Sequence, residues 1–467
     1  MKAHTTNKKK LRKQARAKAQ GQATPAGRPV AVPGPIAAAP KRNPVRFSLM
    51  AKPIGPACNL RCKYCFYLEK NALFADGENY RMSDEVLEAF VRKYIASEPS
   101  KEVTFHWQGG EPTLMGIEFF AKAVQLQRRY ANGKRISNTL QTNGTLLDDN
   151  WGRMLSAGNW LVGISLDGPE EIHNANRPDA TGKGSFSAVK RGVDVLLRHH
   201  VEFNVLSSVT PISTADPLGV YEFLKASGVT FMQFMPIVER MPDDAAKNLG
   251  LQLAVGVRAG ESVLTPQMTP WSVQPEAYGE FLCRIFDQWV RNDVGSVFVM
   301  NFEWAFAGYL GVPSRVCQFM PTCGLSPIIE HNGDVYACDH YVYPEYRLGN
   351  ILTDDLQDMV QSAVQCKFGL AKAEGLPACC RECRVLGACW GECPKRRFLT
   401  ASNGQSGLNY LCPAYKRFLQ HAAPYFEAMS QLRQQGKPVE QIMQTEIHVI
   451  PRPGWLPGSG EPDISKT

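Results

Sequence analysis

The chain has 467 residues, enough for two to four domains or one large enzyme unit. Hydrophobic residues make up 44% and charged residues 21%, which excludes fibrous and wholly disordered classes. The net charge of +8 resides in the first 46 residues, which hold twelve Lys/Arg and no Asp/Glu, so the net −4 remainder gives no case for a nucleic-acid-binding body.

Residues 1–45 form a basic tail rich in Ala and Pro. It cannot bury enough apolar surface to offset the entropy of ordering, so disorder is expected there. It is either a tether for a partner or a solvated tail. Its charged start is not followed by the apolar stretch of a secretory signal. No apolar run in the chain approaches the roughly 20 residues that span a bilayer. A cytoplasmic location with no membrane span is therefore expected.

From Phe47 onward, apolar β-branched runs alternate with helical patterns. Strands are predicted at Phe47–Lys52, Val103–Trp107, Ile136–Gln141, Leu161–Leu166, Phe203–Val209 and Thr230–Met235. Helices are predicted near Ser83–Ser97, Ile117–Tyr130, Asp148–Ser156, Ser185–His199 and Asp216–Ala226, several opening on a Ser or Asp cap. That alternation implies a parallel sheet of βαβ units. An open doubly wound sheet and a partial barrel both fit it. After Pro236 the rhythm breaks. Residues 239–274 read as a long loop that either lines a peptide site or caps the barrel, and a helix follows at Glu276–Asn292. From Val316 to about Cys412 the chain is Cys-dense and turn-rich with little regular pattern. A last helix is predicted near Tyr415–Gln434, followed by a Pro/Gly-rich end. The expected organisation is a tail at 1–45, an α/β unit at 46–238, an insertion and linker helix at 239–315, a Cys-rich domain at 316–420 and a C-terminal helix and tail at 421–467.

Fourteen cysteines in a reducing compartment point to metal or redox chemistry rather than disulfides. Cys58, Cys62 and Cys65 form C-x3-C-x2-C directly after the first predicted strand. Three thiolates can hold three irons of a [4Fe–4S] cubane and leave the fourth open to a small molecule, whereas electron-transfer cubanes and structural zinc want four ligands. Gly109-Gly110-Glu111-Pro112 follows the second strand, and Ser165-Leu166-Asp167-Gly168 ends the fourth, with Arg177 shortly beyond. Ligands of parallel α/β folds sit at such strand ends. This combination resembles the radical S-adenosylmethionine (SAM) enzymes. The resemblance implies a partial (β/α)6 barrel with SAM chelated to the open iron. It implies Tyr64 against the adenine, Gly109, Gly110 and Glu111 at the SAM amino group, and Ser165 and Arg177 at its carboxylate and ribose. It also implies Val238 near the adenine.

The C-terminal third carries Cys317, then Cys323 and Cys338 spaced C-x9-G-x4-C around Gly333. After a gap come Cys380, Cys383, Cys389 and Cys393 as C-x2-C-x5-C-x3-C, and finally Cys412. C-x2-C-x5-C alone would also suit zinc. The whole pattern resembles the irregular, Cys-rich SPASM extension of peptide-modifying radical SAM enzymes. The resemblance implies two further [4Fe–4S] clusters: one on Cys317, Cys323, Cys338 and Cys393, the other on Cys380, Cys383, Cys389 and Cys412. Cys283, Cys366 and Cys379 are left over, and the x2 spacing prefers Cys380 to its neighbour Cys379.

The runs Cys58–Tyr67, Gln108–Leu114 and Ser165–Pro169 with Arg177 resemble one branch, the anaerobic sulfatase-maturating enzymes, which oxidise a Cys or Ser of a sulfatase to formylglycine. The resemblance implies Asp339, beside Cys338, as catalytic base, with Tyr67 and Gln108 on the substrate side and His340 as an alternative base. A pKa raised by the neighbouring cluster is expected for Asp339. The implied partners are an unfolded or nascent sulfatase polypeptide and a low-potential electron donor such as flavodoxin or ferredoxin. Two rival readings remain. One is a SPASM maturase making thioether or carbon–carbon crosslinks. The other is a non-catalytic iron–sulfur or zinc scaffold held to nucleic acid by its tail, against which the three-Cys loop and the Gly-Gly-Glu-Pro turn both speak.

Overall fold

The computed structural model describes residues 43–445, apart from Asp76 and Ala259. Most of the basic tail and the chain beyond residue 445 lie outside the described residues. From Pro44 onward the described residues form one compact unit. None of its helices is long and apolar enough to cross a membrane.

The six expected strands are β1 (Met50–Lys52), β2 (Glu102–Trp107), β3 (Arg135–Thr142), β4 (Leu161–Ser165), β5 (Phe203–Val209) and β6 (Phe231–Pro236). They pair in parallel in chain order. Between them run α1 (Asp84–Ser97), α2 (Ile117–Tyr130), α3 (Asp149–Ala157), α4 (Phe186–Arg198) and α5 (Pro217–Ala226). The side chains of Ser83, Asp148 and Asp216 accept backbone N–H groups at the starts of α1, α3 and α5, as N-caps do.

Period-two alternation decides what each face of the sheet meets. On β2, Val103, Phe105 and Trp107 are buried, and Phe105 and Trp107 pack against Phe90 of α1. The opposite face is polar. Thr104 bonds Ser137 at 2.8 Å and His106 bonds Thr139 at 2.9 Å across β2 and β3. Lys52, Gln108, Gln141 and Ser165 continue this inner face, so the barrel interior offers hydrogen bonds where its strands end.

The sheet does not stop at six strands. It has ten, in the order β10-β9-β8-β1-β2-β3-β4-β5-β6-β7. Here β7 is Phe298–Val299, β8 Ile328–Glu330, β9 Asp334–Tyr336 and β10 Arg347–Asn350. β8 pairs in parallel with β1, and β8–β10 continue as an antiparallel meander. The Cys-rich region, expected to be nearly patternless, thus contributes three strands to the barrel sheet and a helix, α8 (Ala363–Glu374), capped by Ser362. Gly333 of the C-x9-G-x4-C spacing sits in the β8–β9 turn at φ +88, a conformation that side-chain-bearing residues adopt at a cost.

Three helices back the far side: α6 (Pro275–Asn292), α7 (Met300–Tyr309), which no periodicity announces, and α9 (Cys412–Gln434). Phe286 of α6 is fully buried and meets Phe302, Phe418, Tyr425 and Phe426 with ring centroids 5.2–5.8 Å apart. Phe286→Ala is expected to cost about 3–5 kcal/mol, because α6, α7 and α9 cannot all close on the space it leaves. Urea unfolding of the cluster-loaded protein checks this; a loss below about 1 kcal/mol would show the three helices collapsing onto the gap.

Candidate functional site

The loop after β1 carries Cys58, Cys62 and Cys65. Leu60 N–H donates to Cys58 Sγ at 3.3 Å and Leu68 N–H to Cys65 Sγ at 3.4 Å. Burial, aided by the neighbouring thiols, pushes Cys58 up to about 11 and Cys62 up to about 12. These thiols are thus poor free thiolates and would ionise when a bound cation takes them.

The turn after β2 is locked to that loop. Gly110 N–H donates to Gly55 O at 2.8 Å and Glu111 N–H to Ala57 O at 2.9 Å. The Glu111 carboxylate is fully buried and engaged by protein: it accepts from Thr113 Oγ1 at 2.6 Å, Thr142 Oγ1 at 2.7 Å and Asn143 N–H at 2.7 Å. Its side chain therefore ties β2 to β3, and only the backbone of 109–111 remains to meet a ligand. Ser165 Oγ, at the end of β4, accepts from Gln141 Nε2 at 3.4 Å.

Arg177 is likewise engaged. Its guanidinium grips Asp167 through two bonds of 2.8 and 3.0 Å and reaches Ser208 Oγ at 3.2 Å. Tyr64 donates to the same Asp167 at 2.9 Å, and its ring lies 5.4 Å from the guanidinium carbon. Burial opposes ionisation of Asp167, but Arg177 outweighs it and holds the carboxyl below its usual range. Tyr64 is thereby fixed beside the three-Cys loop. Val238 is buried just past β6.

The remaining thiols fall into two groups. Cys338 stands within electrostatic reach of Cys393 and Cys317, and Cys393 of Cys323 and Cys317. Cys380, Cys383, Cys389 and Cys412 line a cavity of about 440 Å³, with Cys379 also in its wall. Every described cysteine is a free thiol. Among the described residues no three His, Cys, Asp or Glu side chains close round a single ion. The thiols ring larger volumes, as a cubane requires and a tetrahedral zinc with Zn–S near 2.3 Å does not. Their donor set fits iron–sulfur clusters. Two cations sit with them: Lys372 Nζ donates to Cys317 O at 2.5 Å, and Arg397 Nη1 to Lys372 O at 2.5 Å.

Asp339 follows Cys338 in a short turn after β9, with its Oδ1 3.5 Å from Cys338 Sγ. The expected upward pKa shift is not found. Burial does push upward, but His340, Lys52 and Lys395 together overcome it and hold the carboxyl below its usual range. His340 is driven by burial to about 3 and is neutral, its Nδ1 buried without a partner and its ring 4.7 Å from that of Phe66. Tyr67 and Gln108 stand on the same inner face as Lys52, which bonds Gln108 Oε1 at 2.7 Å and lies 4.3 Å from the Tyr67 ring centre.

Comparisons with known proteins agree with this geometry. Residues 53–224 match the radical SAM superfamily model, and residues 317–384 match SPASM, an iron-sulfur cluster-binding domain. A serine-type anaerobic sulfatase-maturating enzyme of Bacteroides thetaiotaomicron is 44% identical over 381 residues, which cover 82% of this chain and 90% of that protein. A cysteine-type enzyme of Clostridium perfringens is 34% identical over 385 residues, 81% of this chain and 96% of the relative. The chain belongs to the anaerobic sulfatase-maturating enzymes. Among solved structures, native anSMEcpe with bound AdoMet and Kp18Cys peptide superposes with a TM-score of 0.70 at 33% identity, covering 82% of this chain and 99% of that one.

Several groups in this sulfatase-maturating enzyme had no motif to announce them. Asp167 reads as the first half of an Asp-Gly turn, and Lys372 and Arg397 as ordinary charges of a Cys-rich loop. Lys395, which donates to Glu239 Oε1 at 2.6 Å and lies 4.3 Å from the Phe66 ring centre, reads as surface. Only a lysine closing an otherwise apolar strand, Lys52, carried a signal. Cys283 lies buried in α6 and Cys366 is exposed, and neither lines the thiol cavity.

Proposed function

We propose that this protein oxidises a Cys or Ser side chain of an unfolded or nascent sulfatase polypeptide to formylglycine, in the cytoplasm, with electrons from a low-potential donor such as flavodoxin or ferredoxin. Its membership of a family whose serine-type and cysteine-type members both align over four-fifths of the chain carries this reading. Three [4Fe–4S] clusters are assigned: an open one on Cys58, Cys62 and Cys65, a second on Cys317, Cys323, Cys338 and Cys393, and a third on Cys380, Cys383, Cys389 and Cys412.

When bound, SAM and these clusters supply a radical able to break a Cβ–H bond and a sink for the second electron. The chain's residues do the rest. The backbone of Gly109, Gly110 and Glu111 receives the SAM amino group. Tyr64, pinned by Asp167, faces the adenine with Val238, and Ser165 and Arg177 bound the carboxylate and ribose. Tyr67 and Gln108 bracket the peptide, and Asp339 takes the proton from the target's O–H or S–H.

The test is anaerobic reconstitution followed by incubation with SAM, a reductant and sulfatase peptides bearing Cys or Ser. About twelve irons per chain, 5′-deoxyadenosine and an aldehyde in the peptide are expected. About four irons, or no aldehyde from either peptide, would overturn the assignment. A thioether or carbon–carbon crosslink in the product would support the crosslinking alternative instead.

A further inference from the structure

Two buried charges stand side by side at strand ends without a place in the chemistry above. Lys52 ends β1, Glu330 ends β8, and they are register partners in the parallel pair. Their exposures are 2% and 0%. Charges so buried are tolerated only when hydrogen-bonded. Lys52 donates to Gln108 Oε1. Glu330 accepts from the Tyr67 hydroxyl, and its other oxygen is 3.4 Å from His331 Nδ1.

An ammonium can only donate, and an ionised carboxylate can only accept. Lys52 therefore fixes which way the Gln108 amide faces, because the flipped amide would set its NH2 against the ammonium. The carbonyl oxygen turns to Lys52. The NH2 has no hydrogen-bond partner among the described residues and is left as a free donor. Glu330 in turn takes the one phenolic proton of Tyr67, so that hydroxyl can offer only lone pairs to anything else. Charge at two strand ends becomes a donor at one side chain and an acceptor at another.

We infer that Lys52 and Glu330 are positioning residues that set the polarity of the peptide site, holding Gln108 as a hydrogen-bond donor and Tyr67 as an acceptor. The ligand they prepare for is a peptide segment that presents an acceptor atom, a backbone carbonyl or the target's own oxygen or sulfur, to Gln108 Nε2. This rests on the proposed reading of Tyr67 and Gln108 as substrate-facing. It joins the SPASM strand β8 to the loop of the three cysteines through one hydroxyl.

The experiment measures binding of a sulfatase peptide with Ala at the target position to the cluster-loaded enzyme, together with KM for the reactive peptide and for SAM. Lys52→Met and Gln108→Ala are each expected to weaken the peptide about tenfold, as loss of one oriented hydrogen bond would, while the KM for SAM and the iron content stay unchanged. Combined, they should weaken it no further than either alone, because Lys52 acts through Gln108. Gln108→Glu keeps the shape and satisfies Lys52 but presents only acceptors. It should lose the same tenfold even where Lys52→Met folds poorly. Additive losses in the double variant, or undiminished binding by Gln108→Glu, would overturn the inference. The two readings fail separately: wild type that makes no aldehyde yet shows this binding pattern would remove the formylglycine assignment and leave the polarity pair standing.

Discussion

Asp339→Asn is expected to lower formylglycine formation by about 10²–10⁴-fold while 5′-deoxyadenosine is still released. Forming the aldehyde removes two hydrogens from one side chain, one from Cβ and one from oxygen or sulfur. The second must leave as a proton. Among the acidic groups near the inner face, Glu330 is already occupied by Tyr67 and His331, and Glu239 is held by Lys395. Asp339 has cations on two sides, Lys52 and Lys395, which keep it ionised and ready to accept. A carboxylate held so low is a weak base. Transfer becomes favourable only once the adjacent carbon has lost its hydrogen and the O–H or S–H has grown more acidic. Asn preserves the shape and cannot take the proton. The measurement is the ratio of aldehyde to 5′-deoxyadenosine under single-turnover conditions. A fall in that ratio supports the role of base. Equal loss of both products would show that Asp339 only supports the site. His340 is a poor substitute, since its buried neutral ring packs on Phe66 rather than beside a cation-stabilised acid.

The barrel was legible because its signals are local. Val103, Phe105 and Trp107 alternate with polar residues on β2, and Ser83, Asp148 and Asp216 announce helix starts three residues at a time. The three-Cys loop and the Gly-Gly turn were legible because the spacing is itself the constraint. What the sequence hid depends on distant partners. β8 has only Ile328, Ile329 and Glu330, too few to show a period, and exists as a strand because β1 stands ready to pair with it. α7 is apolar on every side, since α6, α9 and β6 surround it, so no moment marks it. The environment of Asp339 was misjudged for the same reason. Its sequence neighbour Cys338 suggested a raised pKa, whereas Lys52 and Lys395, brought in by β1 and the chain after Cys393, reverse the sign.

Gly110→Ala is expected to abolish the first cluster and spare the other two. A Cβ at residue 110 would lie 1.9 Å from Ala57 O and 2.4 Å from its carbonyl carbon. Both are backbone atoms, so no rotamer change relieves the clash, and the chain before Cys58 must move. Two hydrogen bonds hold it there, from Gly110 N–H to Gly55 O and from Glu111 N–H to Ala57 O. Displacing Ala57 also displaces Cys58, whose Sγ accepts from Leu60 N–H and faces Asn143 Nδ2 at 3.9 Å. The auxiliary thiols lie on other segments and do not feel the shift. Iron should therefore drop by about four of about twelve per chain, with the SAM-dependent change in the cluster's EPR signal lost and the remaining signals retained. SAM cleavage and aldehyde formation should vanish together, which sets this variant apart from Asp339→Asn, where they separate. Full iron with normal SAM cleavage would mean that the loop yields without moving Cys58, and that the close approach of the two turns is packing rather than a requirement of the site.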